Sequence, residues 1–319
     1  MINRFYYSKC TDIEKRIYTI IWKGLSEFQE MIFFERTDAI AELISRVFTM
    51  VLYDNPRIFY TSTMGYQIGF FGNLYYLKPK YFFSLHAVLE LQSWIDERLD
   101  EICKPIRYLE DTFSKEIYIH NYLIKNVKYS KVEVSQPVNA YTIAGALLEN
   151  RSVCSGVALT FKLFMDYLDI PCIVAIGDIT IGEEKPEKHA WNIVCIENDY
   201  YQIDVTWDFF EENGERIIRY DYFNLTLEEM YTYRVPDYEY PKCTHREFNY
   251  FYYLDAIVYS PEELRVYVSD RIKKRERIIY FKYMFDFNGM KNNLNKYLRG
   301  MNYRYSWVNE MEHTILIMR

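Results

Sequence analysis

The stretch of sequence that decides the fold begins with Asn150-Arg-Ser-Val-Cys154-Ser-Gly-Val-Ala158. An apolar run follows it, and beyond a charged loop come His189-Ala-Trp-Asn192 and Ile203-Asp-Val-Thr-Trp-Asp208. A cysteine, a histidine and an aspartate thus follow one another in chain order, each at the start of a regular element or within one. We expect the rest of the chain to be organised around three side chains, Cys154, His189 and Asp204.

The apolar run after Cys154 predicts a helix that carries the cysteine at its start. Its apolar residues recur at intervals of three and four, which is the spacing of an amphipathic helix. The helix should end before Pro171, because a proline disfavours helical backbone at the preceding residue. A thiol at a helix N-terminus is biased toward the thiolate, since unpaired N–H groups and the helix dipole stabilise an anion there. Alternatively, Cys154 is a small buried apolar side chain, as most free cysteines are.

The histidine and the aspartate are predicted to lie on two neighbouring strands. His189 opens an apolar strand, Asn198-Asp199 is a plausible turn, and residues 200–207 are rich in aromatic and β-branched side chains. With that turn, His189 and Asp204 share one face of the sheet but lie four residues out of step. Sheet twist, a bulge or a wider turn must then close the gap between them.

The order of these residues and their local contexts resemble the transglutaminase-like superfamily, a branch of the papain-like cysteine enzymes. Two flanking stretches are similar to bacterial members, Asp54-Asn-Pro-Arg-Ile-Phe-Tyr60 and Tyr220-Asp-Tyr-Phe-Asn224. The resemblance implies an α+β fold with a papain-like transglutaminase core, in which a thiol-bearing helix packs on an antiparallel sheet. We expect an N-terminal α/β segment at residues 1–110, the core at 111–242 and a C-terminal α/β segment at 243–319.

The resemblance also implies a role for each residue of the site. Cys154 matches the nucleophile, His189 the general base and acid, and Asp204 the group that orients the imidazole, with Asp208 as the alternative orienting group. Four further residues are candidates for the oxyanion hole or the substrate pocket: Tyr141, Gln136, Ser155 and Trp191.

The chain departs from the family pattern in the residues around the nucleophile. Many relatives carry Gln or Trp directly after the nucleophile and an aromatic residue two positions later, where this chain has Ser155 and Val157. The small side chains of Ser155 and Gly156 should let a substrate backbone approach the sulfur. The charged residues 182–188 directly precede His189 and are expected at the rim of any cleft.

These roles imply cysteine-dependent acyl transfer or hydrolysis on protein or peptide amides, through a thioester. A lysine amine as acceptor would make the protein a transglutaminase, and water would make it a protease or deamidase. The alternative is a non-enzymatic transglutaminase-like scaffold or binding module. A metal- or nucleotide-dependent enzyme lacks support, because the chain has no H-E-x-x-H, P-loop or G-x-G-x-x-G motif.

Composition bounds the remaining possibilities. The 319 residues are half apolar and carry a net charge of −7, which argues against a broad nucleic-acid surface. The first ten residues do not read as a signal peptide, no apolar run approaches a membrane span, and the six cysteines show no paired spacing. We therefore expect a bacterial cytoplasmic protein with reduced thiols, no cofactor and no metal. The sequence makes no prediction of its oligomeric state.

The two flanks show one pattern of predicted elements. A helix at 11–25 is followed by a strand at 31–34, a helix at 37–52 and strands at 57–62 and 66–71. The C-terminal flank has helices from Ser260 and at 288–298, with strands at 277–282, 303–307 and 314–318. The shared order helix–strand–helix–strand–strand suggests an internal duplication that flanks the core.

Overall fold

A computed structural model describes residues 4–35, 41–130, 138–180 and 185–319. The N-terminal elements are α1 (Phe5–Lys9), α2 (Asp12–Ser26), β1 (Ile32–Glu35), α3 (Ala41–Asp54), β2 (Tyr66–Phe71), β3 (Leu74–Pro79) and α4 (Leu85–Cys103). The central elements are α5 (Thr112–Asn126), β4 (Lys128–Tyr129), a 3-10 turn (Val138–Tyr141), α6 (Ile143–Leu148), β5 (Arg151–Ser152), α7 (Cys154–Tyr167), β6 (Cys172–Ile179), β7 (Glu187–Ile196), β8 (Asp199–Ile203), β9 (Phe209–Glu212), β10 (Glu215–Ile218), α8 (Leu227–Met230) and β11 (Arg234–Pro236). The C-terminal elements are α9 (Tyr250–Tyr253), β12 (Ile257–Val258), α10 (Pro261–Lys273), β13 (Ile278–Tyr283), α11 (Phe287–Leu298), β14 (Arg304–Asn309) and β15 (Thr314–Met318).

The centre of the molecule is helix α7 packed on an antiparallel sheet with strand order β11-β6-β7-β8. Helix α7 is apolar on nearly every face and is buried along most of its length. The Asn192 side chain on β7 joins the two layers, because its amide donates to the carbonyls of Ala158 on α7 and Ile173 on β6, at 3.0 and 3.3 Å. The predicted α+β class is confirmed, with the thiol-bearing helix on an antiparallel sheet.

The hairpin that carries the histidine turns one residue earlier than predicted. Glu197 and Asn198 form the turn, both with positive φ, as a two-residue hairpin loop of type I′ requires. Ile196 then pairs with Asp199 and Asn192 with Ile203. If this register is continued past its last pair, the offset between His189 and Asp204 falls from four residues to two.

Strand β8 ends at Ile203, so the predicted strand at 200–207 is wrong in its second half. The chain leaves the sheet at Asp204, whose N–H donates to the Tyr222 carbonyl at 2.9 Å. The Asp204 carboxylate in turn accepts the Trp207 N–H at 3.2 Å, which closes a tight turn. This departure from the strand carries Asp204 across the remaining offset toward His189.

The strand predicted at 57–62 is also absent. Ile58, Phe59 and Tyr60 are buried, but their segment follows an irregular path with single hydrogen bonds, such as the one from Phe82 N–H to the Tyr60 carbonyl. The strand prediction was wrong because it rested on apolar residues, which are indeed buried here but do not pair with a neighbouring strand. Strands β3 to β6 and β9 to β12 were not predicted.

The two flanks share a topology. In the N-terminal flank β1 pairs with β3 and β3 with β2, and all of these pairs are antiparallel. In the C-terminal flank β13 pairs with β15 and β15 with β14, also antiparallel, and β12 adds at the edge of β13. Each flank is therefore a helix, a strand, a helix and a hairpin whose last strand lies between the other two. The shared topology is consistent with the suggested duplication, which stays a prediction.

Buried side chains connect the N-terminal flank to the centre. One continuous apolar cluster runs from Phe5 to Cys243, and a separate cluster lies within the C-terminal flank between Val258 and Ile317. The domain boundaries at 110/111 and 242/243 stay predictions. None of the described helices is long and apolar enough to cross a membrane.

A buried carboxyl group lies where α5 meets the segment after β10. The Glu116 side chain is fully buried and accepts a hydrogen bond from the Asn224 amide at 2.7 Å, while its second oxygen has no partner among the described residues. Burial raises the pKa of Glu116 to about 8, against the weaker opposing effect of the Asn224 hydrogen bond. The folded protein therefore keeps this carboxyl protonated at neutral pH.

We expect Glu116→Gln to make the protein more stable than wild type at pH 8 but not at pH 5. The folded-state pKa is raised, so wild type loses stability as the pH rises from the normal glutamate value toward about 8, by about 1.4 kcal/mol per pH unit for one group. Urea unfolding at several pH values measures the difference. Glu97→Gln at an exposed position is the control and should show no such trend. An equal free-energy difference at both pH values would contradict the prediction.

Candidate active site

Cys154 and His189 lie in one cleft of about 650 Å³. Its floor contains Cys154, Ser155 and Tyr141, and one wall is formed by β6 and β7 from the central sheet. The opposite wall comes from the N-terminal flank: Thr49, Tyr53, Thr63 and Met64. The cleft therefore lies between the central elements and the N-terminal flank.

The histidine is oriented by a buried carboxylate. His189 Nε2 lies 2.7 Å from Asp204 Oδ2, and both side chains are buried. The second ring nitrogen, Nδ1, is therefore the one left for the thiol, and Cys154 is one of the groups that raise the pKa of the imidazole. The structure thus brings together the three residues singled out in the sequence, in the order cysteine, imidazole, carboxylate.

The electrostatics of the pair favour a charged imidazole. Burial opposes the positive charge, but the Asp204 charge, its hydrogen bond and Cys154 outweigh it and raise the pKa of His189 to about 9. Burial likewise opposes the Asp204 charge, yet His189 and Arg234 hold the pKa of Asp204 below its usual value. An imidazolium beside the sulfur stabilises the thiolate, which is the nucleophilic form of cysteine.

The helix start leaves backbone donors at the sulfur. Helix α7 begins at Cys154, and its N-cap residue Val153 provides no side-chain cap. The first helical hydrogen bond joins the Val157 N–H to the Val153 carbonyl at 3.0 Å, so the helix itself does not use the N–H groups of its first turn. The Cys154 N–H is suited to bind an oxyanion that forms on a carbonyl attacked by this sulfur.

Gly156 has a packing role that the sequence did not indicate. A Cβ atom there would collide with the Ser152 hydroxyl and with the backbone carbonyls of Ala140 and Thr142. The missing side chain therefore lets α7 lie directly against the segment before it. The expectation that Gly156 makes room for a substrate backbone is corrected by this contact.

The four pocket candidates differ in their placement. Tyr141 and Ser155 line the cleft, and the Ser155 hydroxyl donates to the Tyr141 carbonyl at 3.4 Å. Trp191 is buried behind the histidine, where its ring lies nearly parallel to the imidazole at 6.2 Å and its indole N–H donates to Gln202 at 2.7 Å. Trp191 therefore supports the imidazole from behind and does not line the cleft. Gln136 lies outside the described residues.

Asp208 is not the partner of His189. It lies 3.1 Å from His120 Nε2, and its other oxygen accepts the Tyr222 N–H at 3.1 Å. His120 and Asp208 are both fully buried and connect α5 to the turn after β8. This second His–Asp pair therefore connects two elements and does not line the cleft.

Arg234 is the site residue that the sequence did not reveal. Its guanidinium lies 2.6 Å from Asp204 Oδ2 and is completely buried. Arg234 belongs to a three-residue strand that was not predicted, 30 positions after Asp204, and no motif surrounds it. Only the pairing of β11 with β6 brings it to the site.

Charged residues line the rim of the cleft, as expected of the loop before His189. Glu187 and Lys188 open strand β7 and line the cleft, while residues 182–184 lie outside the described part of the chain. The Lys188 ammonium pairs with Asp237 at 2.9 Å and with Asp178 at 3.2 Å. Across the described ranges, no group of three or more His, Cys, Asp or Glu side chains is arranged to hold a metal ion.

Residues 100–205 match the family model described as the transglutaminase-like superfamily. The predicted resemblance is therefore confirmed for the segment that holds Cys154, His189 and Asp204. A comparison with curated protein sequences found no match.

Two solved structures are similar to parts of this chain. A candidate cysteine protease from Cytophaga hutchinsonii is 21% identical over 35% of this chain and 37% of its own, with a TM-score of 0.29. A structure described as a TGase is 12% identical over 49% of this chain and 47% of its own, with a TM-score of 0.30. This chain thus spans less than half the length of either protein.

We expect Cys154 to be the most reactive of the six thiols at pH 6 to 7. Burial raises the pKa of the other five, to about 11 for Cys10 and about 12 for Cys103 and Cys243, with Cys172 and Cys195 also raised. All six are free thiols. Iodoacetamide labelling with peptide mapping should modify Cys154 first, and His189→Ala should slow that labelling about tenfold or more by removing the imidazolium. Faster labelling of the half-buried Cys195 would contradict this expectation.

Proposed function

We propose that this protein is a cysteine-dependent enzyme that cleaves or transfers acyl groups of protein or peptide amides through a thioester. The observation that carries the proposal is the row of Cys154, His189 and Asp204, in which the thiol and the imidazole line one cleft, the buried carboxylate holds the imidazole, and the thiol lies at a helix N-terminus. The transglutaminase-like match over residues 100–205 supports the same class of chemistry.

The first half-reaction forms the thioester. The Cys154 thiolate attacks the amide carbonyl, and the oxyanion that develops is bound by the Cys154 N–H. His189 then donates its Nδ1 proton to the leaving amine, so the C–N bond breaks and the acyl group stays on the sulfur. Asp204 keeps Nε2 hydrogen-bonded throughout and stabilises the charged imidazole.

The second half-reaction regenerates the thiol. His189, now neutral, removes a proton from the incoming nucleophile, which attacks the thioester and expels the Cys154 thiolate. An amine nucleophile gives a transferase, and water gives a protease or deamidase. Because most of the cleft is lined by uncharged side chains and the charged residues Glu187, Lys188 and Asp237 include both signs, a polypeptide segment fits its surface better than a highly charged small molecule does.

We expect wild-type protein, incubated with a mixture of proteins and a biotinylated primary amine, to attach the amine to protein or to release peptides. Cys154→Ala and His189→Ala should do neither, since each removes a reacting group. Mass spectrometry of the mixture and of the enzyme detects the products and the thioester. Cys195→Ala, which removes the half-buried thiol on β7, is the matched control and should retain activity.

The products also show whether the reaction is transfer or hydrolysis, and they distinguish an enzyme from a non-enzymatic module. Biotin on glutamine side chains identifies a transferase, whereas new peptide termini or deamidated side chains identify a hydrolase. Identical product patterns from wild type and Cys154→Ala would leave a non-enzymatic scaffold or binding module as the better account.

A further inference from the structure

Two cations share one oxygen of the buried carboxylate at the site. Asp204 Oδ2 accepts His189 Nε2 at 2.7 Å and Arg234 Nη2 at 2.6 Å, while Oδ1 accepts the Trp207 N–H at 3.2 Å. Arg234 and Asp204 are completely buried, and His189 is nearly so. The arginine comes from β11, which is held against the far edge of β6 by backbone pairing.

The guanidinium is itself held in place on several sides. It lies 3.9 Å above the Trp207 ring and 5.4 Å from the Tyr222 ring, and its Nη1 donates to the Met230 carbonyl at 3.4 Å. Besides Asp204, its charge acts on Tyr222 and on the buried Glu312. Because the planar guanidinium of Arg234 is fixed in this way, its N–H groups can reach the Asp204 carboxylate from one direction only.

This arrangement restricts how the imidazole can approach the carboxylate. A carboxylate oxygen has two lone pairs, and Arg234 occupies one of the two directions at Oδ2. His189 must then meet Oδ2 along the other direction, while the Trp207 N–H prevents the carboxylate from turning over. The plane of the imidazole, and with it the direction of Nδ1 toward Cys154, follows from these contacts.

We propose that Arg234 is a positioning residue of the site, which holds the Asp204 carboxylate in the orientation that aims His189 at the Cys154 sulfur. The inference rests on the proposed function, because it assigns Arg234 a part in forming the reactive thiolate–imidazolium pair. Arg234 does not touch substrate, since it lies behind the carboxylate and away from the residues that line the cleft.

The test uses the rate of Cys154 alkylation by iodoacetamide as a function of pH, which needs no substrate. Arg234→Lys keeps the charge but loses the planar fork, and Arg234→Met loses both. In each folded variant a misaligned imidazole stabilises the thiolate less, so the rise of the alkylation rate should move to higher pH, by about one unit or more for Arg234→Met and by less for Arg234→Lys. The matched control is Arg271→Met, which removes a half-buried arginine that stacks on the Tyr267 ring and pairs with Glu276 instead of Asp204. It should lower stability without moving the profile.

Folded Arg234→Lys and Arg234→Met with wild-type profiles would overturn the inference. If Arg234→Met does not fold, the test depends on Arg234→Lys alone. An alkylation-rate profile of Arg234→Lys that matches wild type would then count against positioning of Asp204 by the guanidinium. Failure of Arg234→Lys to fold would also overturn it, because the fork would then be required by the fold as a whole. A pH profile of Cys154 alkylation in wild type that matches an ordinary thiol would instead refute the proposed function. This result is obtained from the wild-type protein alone, before any variant is made.

Discussion

A single carboxylate oxygen, Asp204 Oδ2, connects the parts of the chain that make up the site. It bonds a histidine on β7 and an arginine on β11, while the aspartate itself lies in the turn after β8. A buried charge is costly unless it is paired and hydrogen-bonded, and here the Trp207 N–H satisfies the other oxygen. The three segments can therefore come together only in an arrangement that supplies all of these donors to Asp204. Removal of one donor would leave the carboxylate underpaired, and the position of the imidazole would change with it.

The thiol reaches this carboxylate–imidazole pair because helix α7 lies close to the sheet and to the segment before it. Asn192 connects the helix to β6 from the sheet side, and Gly156 allows contact with the Ala140 carbonyl on the other side. The N-terminal flank then completes the cleft with Tyr53, Thr63 and Met64. The site is therefore composite: the central elements supply the reacting groups, and a flank supplies one wall of the surface that a substrate would meet.

The C-terminal flank is attached in a different way. The buried Asp221 carboxylate accepts hydrogen bonds from four side chains of that flank, namely Tyr280, Thr314, Trp307 and Asn309. Arg219 lies beside the same carboxylate and stacks on the Trp307 ring at 4.0 Å. The described residues that line the cleft extend no further along the chain than Asp237, so this flank acts on the site through packing and not through contact with substrate. A charged group with donors from distant parts of the sequence thus connects the flank to the centre, as Asp204 does within the site.

The sequence by itself determined the elements whose signals are local. The helix after Cys154, the helix predicted at 11–25 and the helix start at Ser260 depend on neighbours within a few residues, and all three agree closely with the observed helices. The order of Cys154, His189 and Asp204 was enough to indicate a resemblance to the transglutaminase-like superfamily, whose family model matches residues 100–205. The pairing of β7 with β8 also followed from the local pattern, even though the turn was placed one residue late.

Only the tertiary structure decided how these elements meet. Arg234 and Gly156 have no local signal, because one depends on the pairing of β11 with β6 and the other on a close approach of two segments. The strand predicted at 57–62 failed because buried apolar residues report burial but not a pairing partner. The choice of Asp204 over Asp208 was settled by distances of 2.7 Å to His189 and 3.1 Å to His120, respectively. Such contacts depend on the mutual placement of segments far apart in the chain, whereas the sequence patterns reflect only the conformation and burial of each segment alone.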